Sequence, residues 1–209
     1  MEPSKWMRWL CLLLLFTVFQ QQSKAQSIEI AAGNHNVFAN VQWFRFIDTA
    51  GHWSVFTRGI GNISYENNAD LFLGGYFNYM TKSGFGATVV ARIGTFDSGG
   101  DAGGHFIKTG KNWSVAIFAT VGIGLARQLQ YTVFSNLSYT PKISKNLNLY
   151  TNLELYSQFI NQGHVYSVQR ARLGLSWKKW QIGAAADFVE LAQDFLMTYN
   201  IGAFIRKEF

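Results

Sequence analysis

Thirteen consecutive residues, LNLYTNLELYSQF (147–159), alternate between two kinds of side chain. One set is Leu147, Leu149, Thr151, Leu153, Leu155, Ser157 and Phe159, and the other is Asn148, Tyr150, Asn152, Glu154, Tyr156 and Gln158. A period of two is the period of a β-strand, whose successive side chains point to opposite faces. Because most strands of soluble proteins have about 5–6 residues, a strand of this length is typical of one that crosses a membrane.

A second run, residues 165–177, repeats the pattern and adds charge to one face. Val165, Ala171, Leu173, Leu175 and Trp177 share one side, and Arg170 and Arg172 lie on the other. The composition agrees with such strands, because 16% of the residues are aromatic and only 14% are charged, against roughly 25% charged in soluble domains. The two patterns together predict an all-β protein with long antiparallel strands and an apolar exterior.

Residues 26–209 contain no stretch long enough for a membrane-spanning helix. The best candidate, WSVAIFATVGIGLA (113–126), has 14 residues and is interrupted by Ser, Thr and Gly, whereas a spanning helix needs roughly 20 apolar residues. A closed β-barrel is the other structure that satisfies every backbone hydrogen bond in lipid. The soluble alternative is a secreted β-sandwich, which would bury its apolar faces between two sheets.

Short polar segments separate the alternating runs and fall into two sets that alternate along the chain. The first set is DTAGH (48–52), TKSG (81–84), KTGKN (108–112), PKISKN (141–146) and KK (178–179), and the second is GNHN (33–36), NNAD (67–70), DSGGD (97–101), LARQ (125–128), NQGH (161–164) and ELAQD (190–194). We interpret the sets as the two rims of an up-and-down barrel. The tryptophans of residues 26–209 all lie near the lysine-rich first set, where we expect an interfacial aromatic girdle. They are Trp43, Trp53, Trp113, Trp177 and Trp180.

Counting the runs between turns predicts twelve antiparallel strands, an even number with both termini at the periplasmic rim. We expect them near 27–32, 37–48, 52–65, 70–81, 84–96, 101–109, 112–123, 128–140, 146–159, 164–177, 179–190 and 195–209. The first is short, and 101–109 overlaps the glycine-rich segment DSGGDAGG (97–104). Without these two strands the count would be ten. Asp97 and Asp101 do not match the ligand spacing of an EF-hand, so we expect this segment to be a rim loop rather than a calcium site.

The first 25 residues have the three parts of a secretory signal peptide. Lys5 and Arg8 supply a basic start, residues 9–19 an apolar run, and Ser23 and Ala25 the small residues before a cleavage site. We expect cleavage after Ala25, which leaves a single barrel domain, residues 26–209. Without the three basic residues and one acidic residue of the signal, the net charge of +6 falls to +4. So mild an excess supports no nucleic-acid partner.

The signal, the two-residue period, the turns PKISKNLNLYTNLEL and SWKKWQIG, and the final IRKEF resemble small outer-membrane β-barrel proteins of Gram-negative bacteria, most of all those of the Bacteroidetes type. The resemblance covers all of residues 26–209 and implies an outer-membrane location after export. It brings no known activity and no functional residues. In such barrels a last strand that ends in an aromatic residue is recognised by the barrel-assembly machinery, so the resemblance gives Phe209 the role of an assembly signal.

The most specific charged pattern lies on the polar face of the last strands. Pairing Phe159 roughly with residue 165 sets Glu154 opposite Arg170, and pairing Trp177 with Trp180 sets Arg170 opposite Asp187. We therefore expect the row Glu154–Arg170–Asp187 to cross three strands inside the lumen. Either the row braces the wall as an ion-pair network, or it is a charged constriction that selects solutes.

Further arginines extend this lumen charge. Arg172 is expected near Asn152 and near Gly183 or Gln181. Arg58, Arg92 and Arg206 are expected to point inward as well, which would bias the lumen toward anions.

The pattern favours a non-enzymatic outer-membrane barrel that acts as a narrow passive pore or as a structural component of the envelope. We predict no catalytic, cofactor-binding or metal-binding residue. The expected partners are outer-membrane lipid and the barrel-assembly machinery, with small solutes added if the lumen is open.

The alternative is a lipid- or peptide-modifying hydrolase of the outer membrane. Such an enzyme needs a serine or an acid within hydrogen-bond reach of a histidine near the outer rim. His35 and His164 are expected at that rim, and Ser167 lies near His164 in sequence. The chain contains no G-x-S-x-G nucleophile motif.

Overall fold

The computed structural model of the protein describes residues 25–66, 68–95, 98–124, 128–191 and 196–209. Twelve long strands form the wall of a barrel, and a thirteenth, β9, is a short stretch in a turn. The strands are β1 (Ala25–Gly33), β2 (Asn36–Phe46), β3 (Trp53–Ser64), β4 (Ala69–Met80), β5 (Phe85–Gly94), β6 (Gly99–Thr109), β7 (Trp113–Gly124), β8 (Leu129–Tyr139), β9 (Lys142–Ser144), β10 (Leu147–Ile160), β11 (Gly163–Trp177), β12 (Trp180–Leu191) and β13 (Leu196–Glu208).

Each wall strand pairs antiparallel with the wall strands before and after it, and the last strand pairs with the first. Across this closing pair Ile30 lies opposite Ile205, and Gly33 lies opposite Gly202. The predicted closed barrel of twelve antiparallel strands is therefore confirmed. The ten-strand alternative is wrong, because β1 and β6 are both full members of the wall.

The barrel is apolar outside and polar inside. Leu71, Ile93 and Met197 point outward and are 63% exposed or more, with Ile93 reaching 68%. Asn78, Thr88 and Arg172 point inward and are buried. This is the arrangement of a transmembrane barrel, and it rules out the β-sandwich alternative. Among the residues described, no helix is long and apolar enough to cross a membrane.

The two rims differ in their tryptophan content. We call the rim that holds Ala25 and Phe209 the terminal rim, and the opposite rim, where β1, β10 and β12 end at Gly33, Ile160 and Leu191, the distal rim. The tryptophans predicted to form a girdle all lie toward the terminal rim. Trp53, Trp113 and Trp180 begin strands, Trp177 ends one, and Trp43 lies three residues before the end of β2.

Lysine side chains accompany these rings. The Lys178 ammonium lies 4.5 Å from the centre of the Trp177 ring, and that of Lys207 lies 4.9 Å from the centres of both the Trp180 and Phe209 rings. Mixed aromatic and cationic side chains suit the boundary between acyl chains and charged headgroups.

The turn between β2 and β3 shows how polar residues fix a rim. The Asp48 carboxylate accepts hydrogen bonds from the backbone N–H groups of His52 (3.0 Å) and Trp53 (2.7 Å). Gly51 adopts a positive φ of 73°, which glycine tolerates at no steric cost. The hydrogen bond from the N–H of Trp53 lowers the pKa of Asp48 below its usual value. The predicted DTAGH turn thus has a local chemical cause.

The last strand pairs to the end of the chain. Glu208 lies opposite Ser27, and the N–H of Phe209 donates to the Gln26 carbonyl at 3.0 Å. Outward-facing Met197, Tyr199 and Ile205 are exposed, as the alternation predicts. Phe204 points inward instead, where its ring lies 5.6 Å from that of Tyr150.

One predicted pairing needs correction. The structure pairs Phe159 with His164, not with residue 165, because the register shifts by one residue after Gln158. Val165 is the extra residue of a β-bulge on β11. The pairing of Glu154 with Arg170 lies beyond the bulge and keeps the expected register.

Several predictions concern residues outside those described. They are the signal peptide up to residue 24, Asn67 of the NNAD turn, Phe96 at the predicted end of a strand, Asp97 of the glycine-rich segment, turn residues 125–127 and 192–194, and the proposed start of the last strand at Phe195.

A closed twelve-strand barrel should resist unfolding by detergent until it is heated. We expect the purified protein to migrate differently in SDS gels before and after boiling. Identical mobility, together with solubility in the absence of detergent, would contradict a membrane barrel.

Removal of Phe209 should impair assembly more than it impairs the finished barrel. We expect less protein in the outer membrane, while the fraction that inserts keeps its heat-dependent gel shift. Phe209→Tyr is the matched control, because it keeps an aromatic terminus, and it should assemble normally. Equal membrane levels for the deletion and the control would exclude a role in assembly.

Candidate functional site

A water-accessible cavity of about 560 Å³ occupies part of the barrel interior. Its lining includes Lys111, Trp113 and Lys178 at the terminal rim, and it extends inward as far as Arg58 and Glu154. The interior therefore forms a vestibule that opens at the terminal rim and reaches a group of charged side chains.

Seven ionisable residues make up this group, which we call the charged cluster. They are Glu29, Arg58, Glu154, Arg170, Arg172, Asp187 and Arg206. Each lies on a wall strand at an inward-facing position. The alternating polar faces of β1, β3 and β10–β13 bring them together, since the sheet curves back on itself.

Glu154 is the acceptor for two arginines. Arg58 Nη2 lies 2.8 Å from Glu154 Oε2, and Arg170 Nη1 lies 2.5 Å from Glu154 Oε1. Arg58 also donates through Nε to Asn40 Oδ1 at 3.1 Å. Both carboxylate oxygens of Glu154 thus face a cation, and charge-assisted bonds of this kind are stronger than neutral ones.

Arg172 holds the other half of the cluster. Its Nε lies 2.9 Å from Glu29 Oε1, and its Nη1 lies 2.5 Å from Asp187 Oδ1. The second oxygen of Glu29 lies 3.8 Å from Arg206 Nη1. Arg172 therefore links β1, β11 and β12 in one network.

The contact between Arg58 and Glu154 spans the bore. Arg58 is on β3 and Glu154 is on β10, and in the order of the closed wall these strands are six apart in both directions. They therefore lie on opposite sides of a twelve-strand barrel. A salt bridge between them crosses the interior rather than following the wall.

Aromatic rings fill the space around this bridge. The guanidinium groups of Arg170 and Arg172 lie 4.8 and 5.4 Å from the centre of the Phe38 ring, and that of Arg58 lies 5.7 Å from the Phe134 ring. Phe38 is only 2% exposed. The rings and the ion pairs together narrow the bore at the level of the cluster.

A separate ion pair, outside the charged cluster, lies on β5 and β6. The Arg92 guanidinium donates to Asp101 and to Gln130, which lies on β8. Asp101 belongs to β6 and is buried in the lumen. The strand predicted near 101–109 is confirmed and begins two residues earlier, at Gly99. The expectation that residues 97–104 form a loop is therefore wrong from Gly99 onward.

No protein-family model and no curated protein sequence matches the chain. Solved structures of outer-membrane channels do match. A KdgM porin in complex with disordered oligogalacturonate has a TM-score of 0.53 and 13% identity, and the KdgM porin described alone has 0.52 and 13%; each match covers 88% of this chain and 99% of the porin. The COG4313 outer membrane channel from Pseudomonas putida F1 has a TM-score of 0.47 and 10% identity over 90% of this chain and 97% of that one.

The chain has the porin-like fold of an outer-membrane β-barrel. At 13% identity the KdgM likeness shows the fold alone, so the chemistry of the lumen must be argued from this barrel's own residues.

The barrel places the predicted charge row largely as the alternation implied. Glu154 lies opposite Arg170, and Arg170 lies opposite Asp187. The hydrogen bonds of Asp187, however, come from Arg172, which is two residues further along β11. Long arginine side chains reach diagonal neighbours, and strand pairing alone does not reveal which diagonal is used.

The predicted surroundings of Arg172 are correct on one side and wrong on the other. It lies opposite Asn152 on β10, as expected, but its neighbour on β12 is Ala185 rather than Gly183 or Gln181. Its contact with Glu29 was missed altogether. The sequence did contain a clue to this contact. Ser27, Glu29 and Ala31 alternate with apolar residues in the short run SIEIAA, and this alternation places Glu29 on the inward face.

The lumen is less positive than the arginines alone suggested. All five expected arginines interact with carboxylates inside the barrel, and four carboxylates offset them: Glu29, Asp101, Glu154 and Asp187. Within the charged cluster, four arginines face three carboxylates, which leaves one net positive charge, and Glu208 at the terminal rim, 3.8 Å from Arg206, offsets part of it. The network can therefore brace the wall and still attract an anion weakly.

Replacement of Glu154 should cost more stability than replacement of a rim carboxylate. Glu154→Gln leaves two buried guanidinium groups facing a neutral amide, and removal of one partner of a buried ion pair typically costs about 3–5 kcal/mol. Denaturant unfolding in lipid vesicles, followed by tryptophan fluorescence, measures the loss.

The matched control is Glu208→Gln. Its side chain is 50% exposed and lies 3.8 Å from Arg206, so the change should stay below about 1 kcal/mol. Equal losses for the two variants would show that the charged cluster does not brace the barrel.

Proposed function

We propose that this protein is a passive pore of low conductance, whose bore is kept narrow by the charged cluster. The observation that carries the proposal is the salt bridge from Arg58 to Glu154, which joins opposite walls at the inner end of the vestibule. A barrel of twelve strands lies between small barrels filled by side chains and wide porins with open channels. Here inward-facing side chains narrow the space that the backbone leaves.

The vestibule has the size and lining of a solute-accessible space. Its volume of about 560 Å³ falls within the roughly 300–1,000 Å³ of small-molecule sites. Asn40, Gln42 and Asn136 are among the polar side chains that line it. Such amides can replace part of a solute's hydration shell.

The chemistry of the inner end favours small anions. Arginine guanidinium groups bind carboxylates and phosphates through paired N–H donors, and the cluster carries one net positive charge. The KdgM porin of the same fold was solved with oligogalacturonate, whose sugar units carry carboxylates. Because a porin of the same fold was solved with an acidic saccharide, short acidic saccharides are the solutes to test first on this barrel.

The proposal includes a location and two non-solute partners. The barrel would sit in the outer membrane of a Gram-negative bacterium, with the terminal rim in the periplasm and outer-membrane lipid around its apolar face. The barrel-assembly machinery would recognise Phe209. The Bacteroidetes-type resemblance and the cleaved signal remain predictions from the sequence.

Loss of the cross-bore bridge should widen the pore. In planar bilayers we expect small, stable current steps for the wild type and severalfold larger steps for Arg58→Ala, since the truncated side chain no longer spans the lumen. Arg45→Ala is the control, because Arg45 is exposed and lies outside the lumen, and its steps should match the wild type.

Silence from the wild type and from Arg58→Ala across many insertions would overturn the pore proposal. The remaining reading would then be a structural component of the envelope, in which the charged cluster serves only to brace the wall.

Ion preference should depend on Arg170. With a potassium chloride gradient across the bilayer, we expect a reversal potential that indicates weak chloride preference. Arg170→Gln removes the net positive charge of the cluster, while Arg58 still pairs with Glu154, so the preference should vanish. An unchanged reversal potential would show that the cluster does not set selectivity.

A further inference from the structure

Polar side chains interrupt the apolar outer face near the distal rim. On β10 and β11 the outward positions carry Leu155, Ala171 and Leu173 near the middle of the wall, but Gln169, Ser157 and Ser167 nearer the distal rim. Gln169 is exposed, whereas Ser167 is only 9% exposed. Ser157 and Ser167 lie opposite each other, and Glu190 on β12 lies opposite Ser167. Polar and charged groups on a lipid-facing surface are costly and call for a functional explanation.

The β-bulge brings a histidine to this patch. In a regular strand His164 and Ser167, three residues apart, would point to opposite faces. The extra residue Val165 breaks the alternation, and His164 therefore lies beside outward-facing Phe159, its ring 5.4 Å away. Bulges occur often beside active sites because they redirect one side chain.

The histidine and the serine are in direct contact. His164 Nε2 lies 2.7 Å from Ser167 Oγ, and Ser157 Oγ lies 2.9 Å from Ser167 Oγ. With its ring proton on Nδ1, His164 accepts the hydroxyl proton of Ser167, and Ser157 then donates to the same Ser167 oxygen. This is the contact between base and nucleophile that activates a serine, and it meets the criterion set out for the hydrolase alternative.

The depth of the pair matches that of a lipid ester. Trp177, at the terminal rim, lies ten residues from Ser167 on β11. At roughly 3.3 Å per residue and a tilt of roughly 40°, the two are about 25 Å apart along the barrel axis. The apolar band of such barrels is also about 25 Å tall. Ser167 thus lies at the opposite boundary of the band, where acyl chains join headgroups through ester bonds.

We propose that Ser167 and His164 form a serine esterase site on the outer wall of the barrel, and that its substrate is an acyl ester of a membrane lipid. This inference goes beyond the proposed pore function and does not depend on it, because the charged cluster faces the lumen and this pair faces the lipid.

The reaction balances with water as the co-substrate. Ser167 Oγ attacks the ester carbonyl carbon while its proton moves to His164 Nε2. The C–O bond to the glycerol or sugar oxygen then breaks, and that oxygen takes the proton from His164. Water, deprotonated by His164, attacks the carbonyl carbon of the acyl-serine, and the bond from that carbon to Ser167 Oγ breaks. Ser167 Oγ takes the proton back from His164, and a fatty acid is released.

The site can be tested on the full barrel purified from membranes in detergent. The probes are a fluorophosphonate, which labels activated serines, and mixed micelles of diacyl phosphatidylethanolamine, from which released fatty acid is measured. We expect labelling at Ser167 and fatty-acid release by the wild type. Ser167→Ala should abolish the label and lower release roughly 100-fold or more, and His164→Asn should lower release by a similar factor.

Ser135→Ala is the matched control, because Ser135 is another outward-facing serine, on β8 opposite Leu155. It should keep both the label and the rate. The heat-dependent gel shift confirms that each variant is folded. A wild type that carries no label and releases no more fatty acid than folded Ser167→Ala overturns the proposal, whatever the conductance experiments show.

Discussion

The ladder of hydrogen bonds between β13 and β1 is the constraint on which the rest of the barrel depends. In lipid no water can satisfy a free strand edge, so the sheet must close. Closure here runs from Ser27 opposite Glu208 to Gly33 opposite Gly202. Once the edge is closed, each strand has one face toward lipid and one toward the lumen, and the two-residue period of the sequence becomes an inside and an outside.

The barrel is apolar outside and polar inside, the reverse of a soluble protein, and this explains why charged side chains gather in its interior. Arginines and carboxylates excluded from the lipid face meet in a confined space, where an unpaired charge is costly. Positive and negative charges in the interior are therefore nearly equal in number: Glu154 accepts hydrogen bonds from two arginines, and Arg172 binds two carboxylates. The same balance that stabilises the wall limits the bore, since the side chains must reach across it to meet.

The local sequence pattern was enough to predict the strands of the wall and their pairing. It was not enough to predict which side chains meet across the lumen. Alternation, turn residues and hairpin length were enough to place Arg170 opposite both Glu154 and Asp187, because each hairpin fixes the register of its own two strands. The contacts of Arg58 with Glu154 and of Arg172 with Glu29 join strands far apart in sequence. They depend on the strand number and the curvature of the sheet, and on which diagonal a long side chain takes.

The bulge at Val165 is the clearest case of information that periodicity cannot supply. An extra residue in one strand leaves no mark on composition, yet it decides which face His164 occupies and so whether a histidine reaches Ser167. β11 then serves two environments at once: Arg170 and Arg172 point into the lumen, and Ser167 points toward lipid. Because strand geometry separates the two faces, the lumen-facing and the lipid-facing side chains of this single strand can be altered independently.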